Sequence, residues 1–384
     1  MKSEEAEDVA LKLLHTADWH LGRRFGAFSE HQELRLTRAR LEVVGRILDL
    51  AESRDVDAML CAGDLFDEPS PDAQWWQGVL AEFEKRRWKR PVFLLPGNHD
   101  PLTPNSVYAA THPFVRGLPD YVHVVDSEGY SFELNASAVL YANPCRSHAG
   151  QSNLASQLPK REPGDERIRI GLVHGQTFDI PGHQTTFPIE RKTADERGLD
   201  YLAVGDTHGF REVEPDARAP TVYPGAPEPT SFGEKDSGCV ALVFFPRDRS
   251  RRAWVEKLPV AAWMWREETC TSLAALRQLR SDDSLRKTVL RLRLEMRLPL
   301  AEYDQAQRLL VELEGSLAAT GRVGVLALDK SGLRLDVRQS ADFAGDLPPV
   351  LQSVLLRLQE HAAVEPEKAE RALHHLYELV RGDA

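Results

Sequence analysis

Seven side chains in the first 210 residues are of the kinds that grip a hard cation: Asp18, His20, Asp64, Asn98, His174, Asp206 and His208. Each closes or closely follows a short apolar run. The run 11–14 leads into Asp18-Trp19-His20, 58–62 into Gly63-Asp64, and 92–95 into Gly97-Asn98-His99-Asp100. Residues 168–173 lead into His174-Gly175, and 201–204 into Gly205-Asp206-Thr207-His208. Three carboxylates, three imidazoles and one amide oxygen exceed the four ligands of a closed zinc site. Divided over two ions that share a carboxylate, they suffice. Two ions about 3.5–4 Å apart can stabilise both oxygens of an in-line displacement at phosphorus. The residues therefore predict dimetal chemistry on a phosphate ester.

Buried strands that release polar residues at their carboxyl ends are how α/β folds position such groups. Between the strand-like runs lie amphipathic stretches. Leu34, Leu41, Val44, Ile47 and Leu48 recur at helical spacing over 30–52, and Ala73, Trp76, Val79, Leu80 and Phe83 over 72–87. The alternation predicts a layered α/β domain. A loop is expected over 150–165, a final strand near 239–245, and an exit from the first domain in the charged run 247–252, giving a catalytic domain over 1–250. Beyond it, Leu290, Leu292, Leu294, Met296 and Leu298 alternate with polar residues as in a half-buried strand, and Tyr303, Ala306, Leu310, Leu313 and Leu317 follow helical spacing. Asp329-Lys330-Ser331-Gly332 reads as a hairpin turn between two further strands. These features predict a small α+β domain over 251–345. Two helices follow over 346–384, and the stripe Ala369, Ala372, Leu373, Leu376 and Val380 packs either on the chain itself or on a partner helix.

Composition narrows the function classes. The formal charge is −11 over 384 residues, which counts against autonomous grip on duplex DNA, since phosphate contacts come from Lys and Arg. It leaves room for a partner that supplies that grip. No run of 18 apolar residues predicts a membrane span, and the acidic start lacks the apolar core of a secretory signal. Cys61, Cys145, Cys239 and Cys270 are scattered, so neither a disulfide framework nor a thiolate metal site is expected, and a cytoplasmic location suits them.

Asp-x-His, Gly63-Asp64-Leu65-Phe66-Asp67, Gly-Asn-His-Asp, Val-His-Gly and Gly-Asp-x-His, in that order, resemble the motif set of calcineurin-like metallophosphoesterases. The chain is more closely similar to SbcD-type DNA exonuclease subunits. His15-Thr16-Ala17-Asp18-Trp19-His20-Leu21-Gly22 resembles their opening signature. Tyr223-Pro224-Gly225-Ala226 with Ser231-Phe232-Gly233-Glu234 resembles the segment closing their catalytic domain. The likeness is strong over 11–245 and extends over 250–384 only in layout.

The resemblance implies a layered β-sandwich flanked by helices that binds two divalent cations, Mn²⁺ before Mg²⁺. Asp18, His20 and His208 would hold the first ion, Asp64 would bridge, and Asn98, His174 and the residue at 206 would hold the second. His99 would act as general acid on the leaving oxygen, and Asp100 would orient it by a hydrogen bond. The family has histidine where this chain has Asp206. Its carboxylate either coordinates the second ion, favouring hard cations, or leaves that site weak. The resemblance further implies a DNA nuclease of repair or end processing, working as a homodimer with an SMC-like ATPase of SbcC type. The 251–345 domain would then guide DNA, and the last helices would dock the ATPase. A dimetal phosphodiesterase or phosphatase with a non-DNA substrate, and a structural component with a degenerate site, are the competing readings.

Four further features stay open at this level. Arg23 and Arg24 are either contacts to substrate phosphates or a solvated pair. His15 lies on the first strand as a packed or supporting residue, and His183 as a loop histidine. Of the adjacent Trp75 and Trp76, one packs inward and the other is a candidate subunit contact.

Overall fold

The computed structural model describes residues 8–177, 185–314, 324–336 and 348–381. It divides into two compact units, Met1–Trp263 and Met264–Ala384.

The first unit begins with β1 (Val9–Thr16), α1 (Glu30–Ser53), β2 (Ala58–Cys61), α2 (Ala73–Glu84), β3 (Val92–Leu94), α3 (Pro113–Gly117) and β4 (Val122–Val124). The chain then builds a second sheet from β5 (Tyr130–Asn135), β6 (Ala138–Ala142), β7 (Ile168–His174), β8 (Tyr201–Gly205), β9 (Arg211–Glu212) and β10 (Thr221–Tyr223), with the short α4 (Thr193–Glu196) before β8. β11 (Cys239–Pro246) and β12 (Trp254–Pro259) return to the first sheet. The two six-stranded sheets run β12-β11-β1-β2-β3-β4 and β5-β6-β7-β8-β10-β9.

Three apolar layers explain why the strands read as unbroken apolar runs. Leu11, Leu13, Leu60 and Phe93 from one sheet meet Leu140, Ile170, Leu172 and Tyr201 from the other. The outer face of the first sheet (Leu14, Met59, Cys61, Leu94) packs on Val43, Ile47, Val79 and Phe83 of α1 and α2. The outer face of the second (Val173, Leu202, Val204) packs on Leu154, Leu158, Phe187 and Ile189. Parallel strands covered on both faces have no polar side to show. Helix α1 starts where Ser29 and Gln32 form a reciprocal capping box. Leu34, expected on its apolar face, is 64% exposed, because it falls off the stripe formed by Leu36, Val43, Val44 and Ile47.

The second unit holds β13 (Met264–Cys270), α5 (Leu273–Arg280), β14 (Thr288–Leu298), α6 (Leu300–Glu314), β15 (Val325–Leu335), α7 (Pro349–His361) and α8 (Pro366–Arg381). Its three strands form one parallel sheet, β13-β14-β15.

Several expectations are corrected here. The chain does not leave the first unit at 247–252, because β12 pairs antiparallel with β11 and extends the first sheet. The expected hairpin at Asp329–Gly332 is a bulge within the single strand β15. The register steps from Arg293↔Asp329 to Glu295↔Gly332, one extra residue on β15. A Cβ on Gly332 would lie 2.3 Å from the Leu294 carbonyl oxygen, so the glycine serves close strand approach rather than chain reversal. The final helices are not a separate body. Leu355, Ala362, Ala369, Leu373 and Leu376 share one core with Leu290, Leu292 and Leu310, so Ala369, Leu373 and Leu376 of the α8 stripe pack on their own chain, while the Val380 side chain lies outside the described residues. All four cysteines are free and buried, and no helix among the described residues is long and apolar enough to cross a membrane.

One buried cation fastens α1 to the loop beyond β1. Arg40, 1% exposed, donates to the carbonyls of Trp19 at 3.0 Å, Glu228 at 3.1 Å and Pro229 at 2.7 Å. Arg40→Met keeps the apolar stem but leaves three carbonyls without this donor. The expected loss is on the order of 3 kcal/mol, read from urea unfolding; an unchanged midpoint would show that the clamp is dispensable.

Candidate metal centre

The loops that matter leave the carboxyl ends of parallel strands: β1, β2 and β3 in one sheet, β7 and β8 in the other. Main-chain bonds lace them together. The Asp18 N–H donates to the Gly63 carbonyl at 3.0 Å and the His20 N–H to the Asp64 carbonyl at 2.9 Å. Between the sheets, Asp206 N–H donates to the Asp18 carboxylate at 2.9 Å. Asp18 (φ 54°), His20 (φ 44°), Asp64 (φ 54°) and Asp206 (φ 96°) are all left-handed, a conformation uncommon outside glycine that Asp, Asn and His adopt more readily than other residues. Glycine is required beside them by space. A Cβ on Gly97 would lie 2.1 Å from Asp64 Oδ1, and one on Gly205 2.0 Å from the Ala62 carbonyl oxygen.

The junction gathers ligand atoms. Those of Asp18, His20 and His208 lie within 4.8 Å of one another, as do those of Asp18, Asp64 and His174, and those of His20, Asp64 and His99. Asp18, His20 and Asp64 each belong to two of these groups.

Hydrogen bonding decides what the imidazoles present. His20 Nδ1 donates to Asp67 Oδ1 at 3.0 Å, His208 Nδ1 to Glu234 Oε1 at 2.9 Å, and His174 Nδ1 to the Ala62 carbonyl at 2.7 Å. A neutral ring held this way offers a bare lone pair at Nε2. Yet His20 Nε2 and His208 Nε2 are 3.1 Å apart. His174 Nε2 lies 2.8 Å from Asn98 Oδ1, 3.5 Å from Asp64 Oδ2 and 3.7 Å from Asp206 Oδ1. Asp206 Oδ2 is buried without a hydrogen-bond partner. Carboxylate oxygens and ring nitrogens crowd together, so the arrangement calls for positive charge, which either a proton on His174 or a bound cation supplies. Carboxylate oxygens, imidazole nitrogens and one amide oxygen suit divalent cations, and the residues present fit them.

The electrostatics divide the imidazoles: His20 is held neutral by burial, whereas neighbouring carboxylates raise His174 and His208. Burial pushes the Asp18 carboxyl up to about 7, with Asp64 and Asp206 adding to the rise, and burial also raises Asp206. Burial lowers His20 to about 4, which leaves its ring neutral near pH 7 and able to ligate. His174 goes the other way. Burial opposes its charge, but Asp64, Asp18 and Asp206 raise it well above the ordinary range. A proton on Nε2 competes with a cation for the same lone pair.

The structure brings the seven expected ligands and His99 to this junction. His99 Nδ1 donates to the Asp67 carbonyl at 3.1 Å, its ring centroid lies 4.8 Å from that of His20, and its side chain is 43% exposed. Asp100 departs from expectation. It is fully buried, and its oxygens accept from Gly97 N–H (2.8 Å), Phe66 N–H (2.9 Å) and Tyr108 O–H (2.8 Å). It braces the loop rather than orienting His99, because the ring turns outward to the Asp67 carbonyl. Arg23 reaches Asp67 Oδ1 at 3.4 Å, whereas Arg24 is exposed. His15 is buried behind the site with Nδ1 2.9 Å from the Tyr201 hydroxyl. His183 lies outside the described residues.

Sequence reasoning misses Asp67 and Glu234 as working residues, although both close motifs visible in the chain. A signal for them exists: a metal-ligating imidazole needs an acceptor for its other nitrogen, and these are the acidic residues those motifs supply. Asp67→Ala releases His20 and Arg23 together. It is expected to weaken divalent cation binding about 10- to 100-fold, measured by calorimetric titration; an affinity equal to the parent's would contradict the assignment.

Comparison with known proteins agrees with this geometry. The chain is 28% identical over 223 residues to the uncharacterized metallophosphoesterase YhaO of Bacillus subtilis, covering 56% of this chain and 52% of that protein. It is 26% identical over 293 residues to the SbcD component of the SbcCD nuclease of Bacillus subtilis, covering 66% and 72% respectively. It is also 25% identical over 222 residues to the DNA double-strand break repair protein Mre11 of Saccharolobus solfataricus, covering 57% and 55%. The chain thus spans about half the length of YhaO and of this Mre11. The sequence profile of the calcineurin-like phosphoesterases matches residues 11–210. That stretch is just over half the chain and contains all five ligand-bearing loops, so the protein belongs to the calcineurin-like phosphoesterase family.

Proposed function

We propose that this chain is an SbcD-like, metal-dependent nuclease that hydrolyses phosphodiester bonds of DNA in repair or end processing. One observation carries the reading: three imidazoles fixed by their Nδ1 atoms turn their Nε2 atoms into a pocket of carboxylate oxygens. Similarity to proteins named as part of a nuclease and as a DNA break repair protein points to DNA as the ester.

Asp18, His20 and His208 would hold one cation, Asn98, His174 and Asp206 the other, and Asp64 would serve both. We take Mn²⁺ as the first choice and Mg²⁺ as the second. When bound, the cations supply Lewis acidity and charge neutralisation at the phosphate. The remaining work falls to the chain. His99 keeps its Nδ1–H on the Asp67 carbonyl, so Nε2 is the atom it offers. As an imidazolium it gives its Nε2 proton to the oxygen leaving phosphorus, while the oxygen of water forms the new bond to phosphorus on the opposite side and that water releases one proton to solvent. The products are an alcohol and a phosphate monoester, and His99 ends neutral with its Nδ1–H bond kept. Arg23, held on Asp67, is positioned to meet a phosphate oxygen.

The wider assembly is part of the same proposal: a cytoplasmic homodimer, with an SMC-like ATPase of SbcC type supplying the DNA affinity that a net charge of −11 withholds. The domain division fits it, with the first unit catalytic and the second serving DNA guidance and partner docking.

Purified protein in Mn²⁺ is expected to degrade linear DNA. His99→Ala should lower kcat about 10²- to 10⁴-fold, and Asp64→Asn should abolish turnover, with circular dichroism of both variants unchanged. Undiminished cleavage by both would refute the assigned roles. Turnover of a chromogenic phosphodiester with none of DNA, even with the ATPase present, would move the substrate to a small ester.

A further inference from the structure

A short segment next to the metal loops has work that neither its sequence nor the family assignment declares. After β6 the chain runs Asn143-Pro144-Cys145-Arg146-Ser147-His148 alongside the loop that carries Asn98 and His99. Cys145 clamps that loop at both ends: its N–H donates to the Pro96 carbonyl at 3.0 Å, and its carbonyl accepts from Leu102 N–H at 2.8 Å. Asn143, 1% exposed, anchors the segment through Gly129 N–H at 2.7 Å and the Leu154 carbonyl at 3.0 Å. From this rigid support His148 reaches over, and its Nδ1 lies 2.8 Å from the Asn98 carbonyl oxygen. The partner is an acceptor, so Nδ1 carries the hydrogen.

The Asn98 carbonyl and the His99 N–H belong to one peptide group, and that N–H donates to Asp64 Oδ1 at 2.9 Å. A continuous chain of donors and acceptors therefore runs from His148 through a single peptide bond to the shared carboxylate. In such a chain each bond polarises the next and strengthens it. Asp64 Oδ1 is thereby held, and Oδ2 is left facing His20 Nε2 at 3.8 Å and His174 Nε2 at 3.5 Å.

We propose that His148 is a positioning residue for the bridging carboxylate, acting through the Asn98–His99 peptide. The inference rests on the dimetal reading above and adds to it a residue outside every ligand motif. Substitution by asparagine places an amide N–H where Nδ1–H stood, whereas alanine removes the donor.

The test is calorimetric titration of the metal-stripped full chain with Mn²⁺, alongside its thermal midpoint. The parent is expected to bind two equivalents. His148→Ala should weaken binding about tenfold with an unchanged midpoint, and His148→Asn should restore most of the loss. Asp64→Asn serves as the control that reports the site itself. If Asp64→Asn weakens binding while His148→Ala matches the parent, the positioning role is refuted and the dimetal reading survives. If His148→Asn is as weak as His148→Ala, the hydrogen bond is not what matters and the inference is again refuted. A parent that binds no Mn²⁺ would remove both.

Discussion

Three ring nitrogens and three carboxylates face one another where two sheets meet, in need of positive charge between them. That concentration of electron density governs the rest of the first unit. It dictates that each imidazole be turned by an outer acceptor, that the carboxylates be clamped by main-chain N–H groups, and that glycines flank them so the backbones can close in. A sandwich with both faces of its strands buried supplies the rigidity. Its apolar layers fix the strand ends, and the strand ends fix the ligands.

Much of this is legible in the sequence, for a physical reason. A strand covered on both sides must be apolar throughout, so the change to Asp, His or Asn at its end is abrupt and visible. The candidate ligands on loops after β1, β2, β3, β7 and β8 can be read this way, and so can the spans of α1 and α2. Less visible are residues whose role depends on direction rather than type. Asp100 stands next to His99 in the chain, yet their side chains diverge: Asp100 turns inward to Gly97, Phe66 and Tyr108. Asp67, 32 residues away, takes the supporting role instead through its main-chain carbonyl.

The second unit is harder to read because one local signal serves two geometries. Asp329 accepts the Ser331 N–H at 2.9 Å, a local turn that can reverse a chain or admit one extra residue into a strand. Only pairing with β14 on both sides of the bulge decides between them. The stripe on α8 poses a similar question, since an apolar face looks the same whether its cover is the same chain or another. Its burial with Leu290 and Leu310 answers it.

The left-handed backbone at Asp18, His20, Asp64 and Asp206 also bears on how such a scaffold can drift. Asparagine and glycine tolerate that conformation with little penalty, whereas β-branched residues resist it. A lineage that lost the cations would therefore find few exits at these four positions without disturbing the turns themselves. Catalytic decay in this architecture has a preferred alphabet, and the fold can outlive its chemistry by spelling those sites with Asn or Gly.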